Sequence, residues 1–365
     1  MRVDAVTLDF WRNYPHEALS FSPGVNVFYG DNAQGKTNLL EAIAYLSCAK
    51  SHRARYDREL IYHGVDHAFV QGEVWDGRRA VTIEARLHRQ GRRQLLANGV
   101  GLKSSAELSE SLKTVLFCPE DLFLVKAGAA ERRRFFDACI SQLRPRYAVA
   151  LAEYKKLYEH KTRILRDWSD KPDLLETLDD FSLRMAQMGA VIIHYRAHFV
   201  KQLKLHAPAI HAECSGGHET LELDYKTVST VADPLAGRKA IFDALLLHQQ
   251  THRQAELDAR QCLTGPHKDD LILTIDGQTA KEYASQGQTR TAALALKLGA
   301  RELCYADTGY WPVLLLDDVL SELDARRREF VLERIQGGQV FITCCEEGEF
   351  PTAKKFRVAD GRVVK

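Results

Sequence analysis

The chain has 365 residues, with 50 Lys and Arg against 49 Asp and Glu and a formal net charge of +1. Its 45% hydrophobic and 27% charged content is that of a globular protein, which excludes a disordered chain, and its length allows one large domain or two modest ones. The charge balance excludes a uniformly basic nucleic-acid coat but leaves room for a local basic patch.

The opening MRVDAVTLDFWRNY carries acids and no long apolar core, so it does not read as a secretory signal. No run approaches the roughly 18 apolar residues of a membrane helix. The eight cysteines form no C-x-x-C pair, and the fourteen histidines show no metal-ligand spacing. A cytoplasmic protein with reduced thiols and no membrane partner is expected.

In chain order, Ala5 to Phe10 alternates as a strand, Val25 to Tyr29 is a short apolar strand, and Asn38 to Cys48 has helical periodicity. Strand-like runs at Ala68 to Val74 and Ala80 to Leu87 flank Asp76-Gly77, and Gln94 to Ala97 precedes Asn98-Gly99; both dipeptides signal hairpins. From about residue 129 to 212 the pattern is helical. Pro145 is expected to kink or break the first helix, and Asp167 to Pro172 to form a tip. Periodicity leaves two arrangements open: a projecting helical hairpin, or a helical layer lying on the core. A strand at Leu221 to Tyr225 and a helix near Pro234 to Ala259 follow. The remainder alternates: a helix Gly287 to Ala306, a strand Val313 to Leu316, a helix Ala325 to Ile335, a strand Val340 to Thr343, and a final hairpin turning at Asp360-Gly361. Alternation of this kind predicts a mostly parallel sheet.

Gly30-Asp31-Asn32-Ala33-Gln34-Gly35-Lys36-Thr37 fits G-x-x-x-x-G-K-[ST], with a strand before it and a helix after it. The glycines let successive N–H groups turn toward an anion, and the helix that begins there adds its positive end. Lys36 then serves the β- and γ-phosphates of ATP, the Thr37 hydroxyl serves Mg²⁺, and Asn38 opens the helix. A second apolar run ends in Asp317-Asp318, which would deliver Asp317 to the magnesium shell and leave Asp318 to polarise a water. The two motifs stand about 280 residues apart with a helical insertion between them, unlike small P-loop kinases and GTPases.

Ser285-Gln286-Gly287-Gln288 precedes the helix leading to Asp317, and Ser321-Glu322-Leu323-Asp324 follows the acids. The first resembles the signature of ABC ATPases, in which a Ser and glycine-region amides at a helix start bind a γ-phosphate; the second is similar to their D-loop. Together with Arg12-Asn13-Tyr14, Lys50-Ser51-His52-Arg53, Phe117 to Asp121, Arg132 to Asp137 and Leu263 to Asp270, these segments resemble the bacterial RecF family from end to end.

That resemblance implies an α/β fold: an ABC-type P-loop ATPase head of mixed sheet and helices, related to SMC proteins, with an inserted helical arm. The expected limits are 1–128 for the first half of the head, 129–260 for the arm and 261–365 for the second half. It implies ATP and Mg²⁺ as cofactors, a weak ATPase, and an ATP-dependent homodimer that binds double-stranded DNA and single-strand/double-strand junctions. It also implies a recombination mediator working with RecR and RecO to load recombinase at single-stranded gaps, with roles in repair, replication and the SOS response, and a nucleoid-associated location. Lys36 and Asp318 are the implied catalytic residues and Thr37 and Asp317 the metal residues. Residues 30–38, Ser285, Gly287, Gln288 and Asp324 make up the nucleotide set. Cys344-Cys345 stands where many ABC ATPases have a switch histidine, and Glu120 where a Q-loop is expected; Glu120 also reads as a helix-start acid.

With so little net charge, DNA binding requires segregated cations. Arg78, Arg79, Arg89, Arg92, Arg93, Arg132 and Arg133 are the candidates, and a run of this kind is also the ordinary composition of a solvated face. Competing classes are a transporter ATPase subunit, a short SMC-like structural ATPase and a metabolic kinase. The long insertion and the SQGQ wording argue against the first, and the short arm against the second. The third leaves Ser285 and Asp324 without a use.

Overall fold

Strand Val25–Tyr29 lies inside a six-stranded sheet because its apolar side chains need cover on both faces. In the computed structural model, which describes residues 1–348 and 350–364, that strand pairs in parallel with Val340–Cys344 on one side and Lys354–Ala359 on the other. The sheet continues through Val313–Asp317 to Thr114–Phe117, both parallel, and Arg362–Val364 closes the other edge antiparallel. Val313–Asp317 is buried at every position, as a central parallel strand requires.

A second six-stranded sheet is antiparallel throughout: Tyr14–Ser20, Arg2–Trp11, His67–Trp75, Ala80–His88, Gln94–Ala97 and Val100–Gly101, in that spatial order. Asn98 and Gly99 both adopt positive φ (49° and 76°), which gives the two-residue hairpin turn the dipeptide predicts. One hydrophobic core joins both sheets to helix Lys36–Cys48, which is buried nearly all round from Leu39 to Ser47. From Leu39 to Ser47 this helix therefore turns no polar face to solvent. Phe21, Phe28, Phe341 and Phe356 pack edge-on and stacked at the same core.

The chain divides into two compact units, Met1–Asp121 with Leu294–Lys365, and Leu122–Ala293. The second is wider than the expected arm of 129–260 and includes the segment 261–293. Its helices are Ala129–Leu143, Pro145–Asp167, Leu178–Ser215, Arg238–Thr251 and Arg253–Ala259. Pro145 stands at the first position of its helix, where a missing N–H costs nothing, so it starts a helix rather than kinking one. Pro145–Asp167 and Leu178–Ser215 pack together, and the latter also packs on Arg238–Thr251 and on strand Leu221–Lys226.

Leu221–Lys226, Asp270–Ile275 and Gln278–Thr279 form a small antiparallel sheet in this unit. The LTGPHKDD segment is its internal brace. Arg196 donates to the Asp269 carboxylate (2.8 Å), the Asp137 carboxylate (2.9 Å) and Pro266 O (2.7 Å), while Thr227 and Tyr225 hydroxyls also donate to Asp269. Asp269 is completely buried, so removing Arg196, which ion-pairs with it, would leave charge uncompensated in the interior.

Candidate active site

The phosphate loop begins where strand Val25–Tyr29 ends. Gly30 has φ 145°, and a Cβ there would collide with Val358 O of the neighbouring strand. Gly35 has φ 118°, and its Cβ would meet the side chains of Asn13 and Tyr14 at 2.7–2.9 Å. Only glycine fits either place. Lys36 Nζ donates to Gly30 O (2.6 Å) and Asp31 O (2.8 Å), so its ammonium stands inside the curl of the loop. Asp31, Asn32 and Ala33 face solvent at the crest, with Ala33 in the left-handed region.

Residues outside the motif hold this loop. Tyr14 OH donates to Gly35 O (3.0 Å), and Asn13 Nδ2 donates to Gln34 O (3.0 Å). Asn38 Nδ2 donates to Asn13 Oδ1 (2.8 Å), and Arg53 donates to Asn38 Oδ1 (2.9 Å). From the C-terminal hairpin, Gly361 N–H donates to Gln34 O (3.1 Å) and Asp360 N–H to Gln34 Oε1 (2.6 Å). Asn38 thus reaches the loop through a side-chain relay, and Gln34 is clamped from two directions. Asn13-Tyr14 appears in the sequence as a resemblance without a role. Its function depends on a contact across more than twenty residues, which no local pattern reveals.

Asp317 sits at the C-terminal end of its strand and is 5% exposed. Two hydroxyls donate to its Oδ1, Thr37 Oγ1 at 2.8 Å and Thr343 Oγ1 at 2.7 Å. Thr343 also accepts the Asp318 N–H (2.8 Å), so one buried hydroxyl fixes both acids. Asp318 has φ 52°, and its carboxylate accepts from Ser321 Oγ (2.8 Å). A left-handed non-glycine residue carries strain, and Asp tolerates this conformation better than most residues. No motif assigns Thr343 to this site; its signal in the sequence is a polar residue closing an apolar strand.

A hydroxyl and a carboxylate 2.8 Å apart beside a lysine in a glycine loop are a hard-oxygen set suited to Mg²⁺. The ion would supply charge neutralisation between the β- and γ-phosphates. Cys345 Sγ lies 3.3 Å from Asn32 Oδ1 at the rim, and burial pushes the Cys344 thiol up to about 11. Glu120 is exposed on a short turn after strand Thr114–Phe117.

Ser285, Gly287 and Gln288 belong to the second unit. There Ser285 caps helix Gln286–Thr308: its Oγ accepts the Gln288 N–H (3.2 Å), and Gln288 Oε1 accepts the Ser285 N–H (2.9 Å). This reciprocal pair is a capping box, which holds the hydroxyl at the helix start. Asp324 caps Ala325–Arg334 by accepting the Arg327 N–H (2.9 Å).

The seven candidate arginines separate by environment. Arg132 is 4% exposed, grips Asp270 bidentately (2.6 and 2.9 Å) and donates to Leu124 O and Ala127 O. It has no face left for a phosphate and is a structural brace rather than a DNA contact. Arg93 is half-buried and donates to Asp57, Ala49 O and Tyr45 OH, so it too is structural. Arg133 is half-buried and donates to Asp269 O. Arg78, Arg79, Arg89 and Arg92 are exposed, but the nine-residue strand Ala80–His88 separates the first two from the last two. At about 3.3 Å per residue the pairs stand at opposite ends of the sheet, and the run Arg78 to Arg93 is not one patch.

The pattern of the family described as RecF/RecN/SMC N terminal domain matches residues 2–360. The chain is 37% identical over 368 residues to the DNA replication and repair protein RecF of Clostridium perfringens, covering 100% of this chain and 99% of that protein. The chain belongs to the RecF family. A second RecF, from Bacillus subtilis, is 38% identical over 372 residues with complete coverage of both chains. Among solved structures, the recombination mediator protein RecF-ATP in the RecFOR pathway matches this RecF-family chain with a TM-score of 0.93 and 34% identity, over 100% of this chain and 97% of that one. The Smc head domain of Pyrococcus furiosus matches with a TM-score of 0.58 at 17% identity, over 99% and 95%, a likeness of fold alone. The fold is therefore that of an ABC-type ATPase head of the RecF and SMC kind. Among the described residues no helix is long and apolar enough to cross a membrane.

Proposed function

We propose that this chain is an ATP-dependent DNA-binding recombination mediator. It dimerises on ATP and, with RecR and RecO, helps load a recombinase at single-stranded gaps during repair, replication and the SOS response. The observation that carries the reading is the convergence of Thr37 and Thr343 on Asp317 beside Lys36, in a chain that aligns end to end with RecF proteins. That convergence supports Mg²⁺-ATP binding, with Lys36 on the phosphates and Thr37 and Asp317 on the metal.

The Ser285 hydroxyl and the free N–H groups of the helix start form a phosphate clamp that acts on nucleotide held by a second copy, with Asp324 lining the same interface. Asp318 orients the attacking water. A carboxylate on so short a side chain in a strained backbone fits a slow ATPase used as a switch. DNA contact falls to the exposed Arg78, Arg79, Arg89 and Arg92, with Arg133 at the margin. Two near-neutral copies brought together by ATP present more basic surface than one, which favours nucleotide control of DNA affinity.

The test is the mass in solution and the affinity for duplex DNA, with and without ATP, for wild type, Lys36→Arg and Ser285→Arg. ATP is expected to convert monomer to dimer and to tighten DNA binding. Ser285→Arg should bind nucleotide yet remain monomeric. DNA affinity indifferent to ATP, or a dimer of equal stability without nucleotide, refutes the clamp.

A further inference from the structure

The segment after the phosphate-loop helix carries Lys50, His52, Arg53, Arg55, Tyr56 and Arg58, all exposed. Asp57 is the only acid between Lys50 and Arg58, and Arg93 neutralises it at 3.1 Å. Tyr56 is 47% exposed. The guanidinium carbons of Arg55 and Arg58 lie 5.3 and 4.8 Å from the centre of its ring. Among the described residues neither guanidinium is paired with a carboxylate.

This segment is anchored rather than loose. Ser51 Oγ donates to Glu41 (2.5 Å), Arg12 binds the same carboxylate bidentately and donates to Glu59 O (2.9 Å), and Arg12 N–H donates to Leu60 O (2.8 Å). Tyr45 OH also donates to Asp57 (3.0 Å). Arg93 ties the loop carrying Arg89 and Arg92 to Asp57 and Ala49 O, bringing those two exposed arginines to the same end of the sheet. Arg53 connects the segment through Asn38 and Asn13 to the phosphate loop.

An exposed aromatic ring overlaid by two unpaired arginines, on a fixed segment rich in cations, is the pattern that binds unpaired bases. The ring stacks on a base and the cations follow the phosphates. We propose that Lys50–Arg58 is a contact for single-stranded DNA, with Tyr56 as its base-stacking platform. This rests on the DNA-binding reading above and assigns that reading a strand preference and a place. Duplex DNA keeps its bases stacked internally, so it gains only the cations and not the ring.

The experiment measures fluorescence anisotropy of labelled oligo(dT) and of a duplex of equal length, with the full chain in Mg²⁺-ATP. The proteins are wild type, Tyr56→Ala, Tyr56→Phe and the double variant Arg55→Ala/Arg58→Ala. Tyr56→Ala is expected to weaken oligo(dT) binding about 5- to 100-fold and duplex binding less than about twofold. Tyr56→Phe, which keeps the ring, should stay within about twofold of wild type on both probes. The double variant should lose affinity for both. Tyr56 is half in solvent, so its removal leaves no cavity, and the thermal midpoint and nucleotide affinity of Tyr56→Ala should match wild type. Wild-type binding of oligo(dT) that Tyr56→Ala leaves within twofold overturns the platform alone, as does an equal loss on both probes. Failure of wild type to bind either probe overturns the DNA-binding reading and the platform with it.

Discussion

Thr343→Val tests whether one buried hydroxyl sets the geometry of both acids. Valine has nearly the shape of threonine, and Thr343 is 1% exposed, so no cavity forms. The change removes the donor to Asp317 Oδ1 (2.7 Å) and the acceptor of the Asp318 N–H (2.8 Å). A hydrogen bond to a charged partner contributes about 1.5–3 kcal/mol, and an amide left without its acceptor costs about 1–3 kcal/mol. With Thr37 still holding Asp317, the expected loss is about 3 kcal/mol, read as a lower urea midpoint at unchanged slope. Function should follow a distinct pattern. ATP affinity without Mg²⁺ stays at the wild-type value, because Thr343 does not touch the phosphate loop in any described hydrogen bond. The gain in affinity on adding Mg²⁺, and steady-state hydrolysis, fall about tenfold or more as Asp317 and Asp318 lose register. Thr343→Ser restores both. A Thr343→Val protein with wild-type stability and wild-type Mg²⁺ dependence refutes the assignment.

Arg132→Ala should cost about 3–5 kcal/mol of stability by leaving Asp270 without its buried partner, whereas DNA affinity of the folded fraction stays within twofold; denaturation and anisotropy on one preparation check both. His267 is pushed down to about 4 by burial, and its neutral ring accepts from Tyr154 OH (2.7 Å) through Nδ1 while Nε2 faces Cys262 O (3.2 Å). Below about pH 6.5 the unfolded chain takes up a proton that the folded ring refuses, so stability declines as pH falls from 6.5 to about 4. The contribution is on the order of 3 kcal/mol, and His267→Gln should flatten that part of the stability profile relative to wild type.

The phosphate loop, its strand and its helix were legible because their information is local: glycines at fixed places, a lysine and a hydroxyl, and apolar runs on either side. The Asp317 strand was legible for the same reason, since complete burial leaves an uninterrupted apolar run. Strands Tyr14–Ser20, Thr114–Phe117 and Asp270–Ile275 escaped a reading by periodicity. Thr114–Phe117 is only four residues long, and Tyr14–Ser20 is an edge strand that alternates among mostly polar side chains. Asp276-Gly277, at φ 50° and 76°, marks the hairpin after Asp270–Ile275 with the same dipeptide signal as elsewhere.

Cations were the least legible residues. Arg78, Arg93 and Arg132 look alike in sequence, yet one is exposed, one braces a loop and one is buried on Asp270. A guanidinium's role depends on which carboxylate folding brings beside it, and those partners lie 36 residues away for Arg93 and 138 for Arg132. Ser285 and Gln288 show the converse. Their segment resembles a phosphate clamp, and the spacing of Ser285 and Gln288 makes the capping box that starts their helix.

The sequence by itself determined that a phosphate loop and a strand-end acid belong to one chain, because short motifs encode backbone shape and charge within a few residues. The tertiary structure alone decided that Thr343 sets both acids, that Asn13, Tyr14 and the Asp360-Gly361 turn clamp the loop, and that Arg89, Arg92 and Tyr56 share one end of a sheet. Each of those facts is a distance between residues far apart along the chain. Such distances are set by the packing of two sheets around one buried helix, and no local pattern carries them.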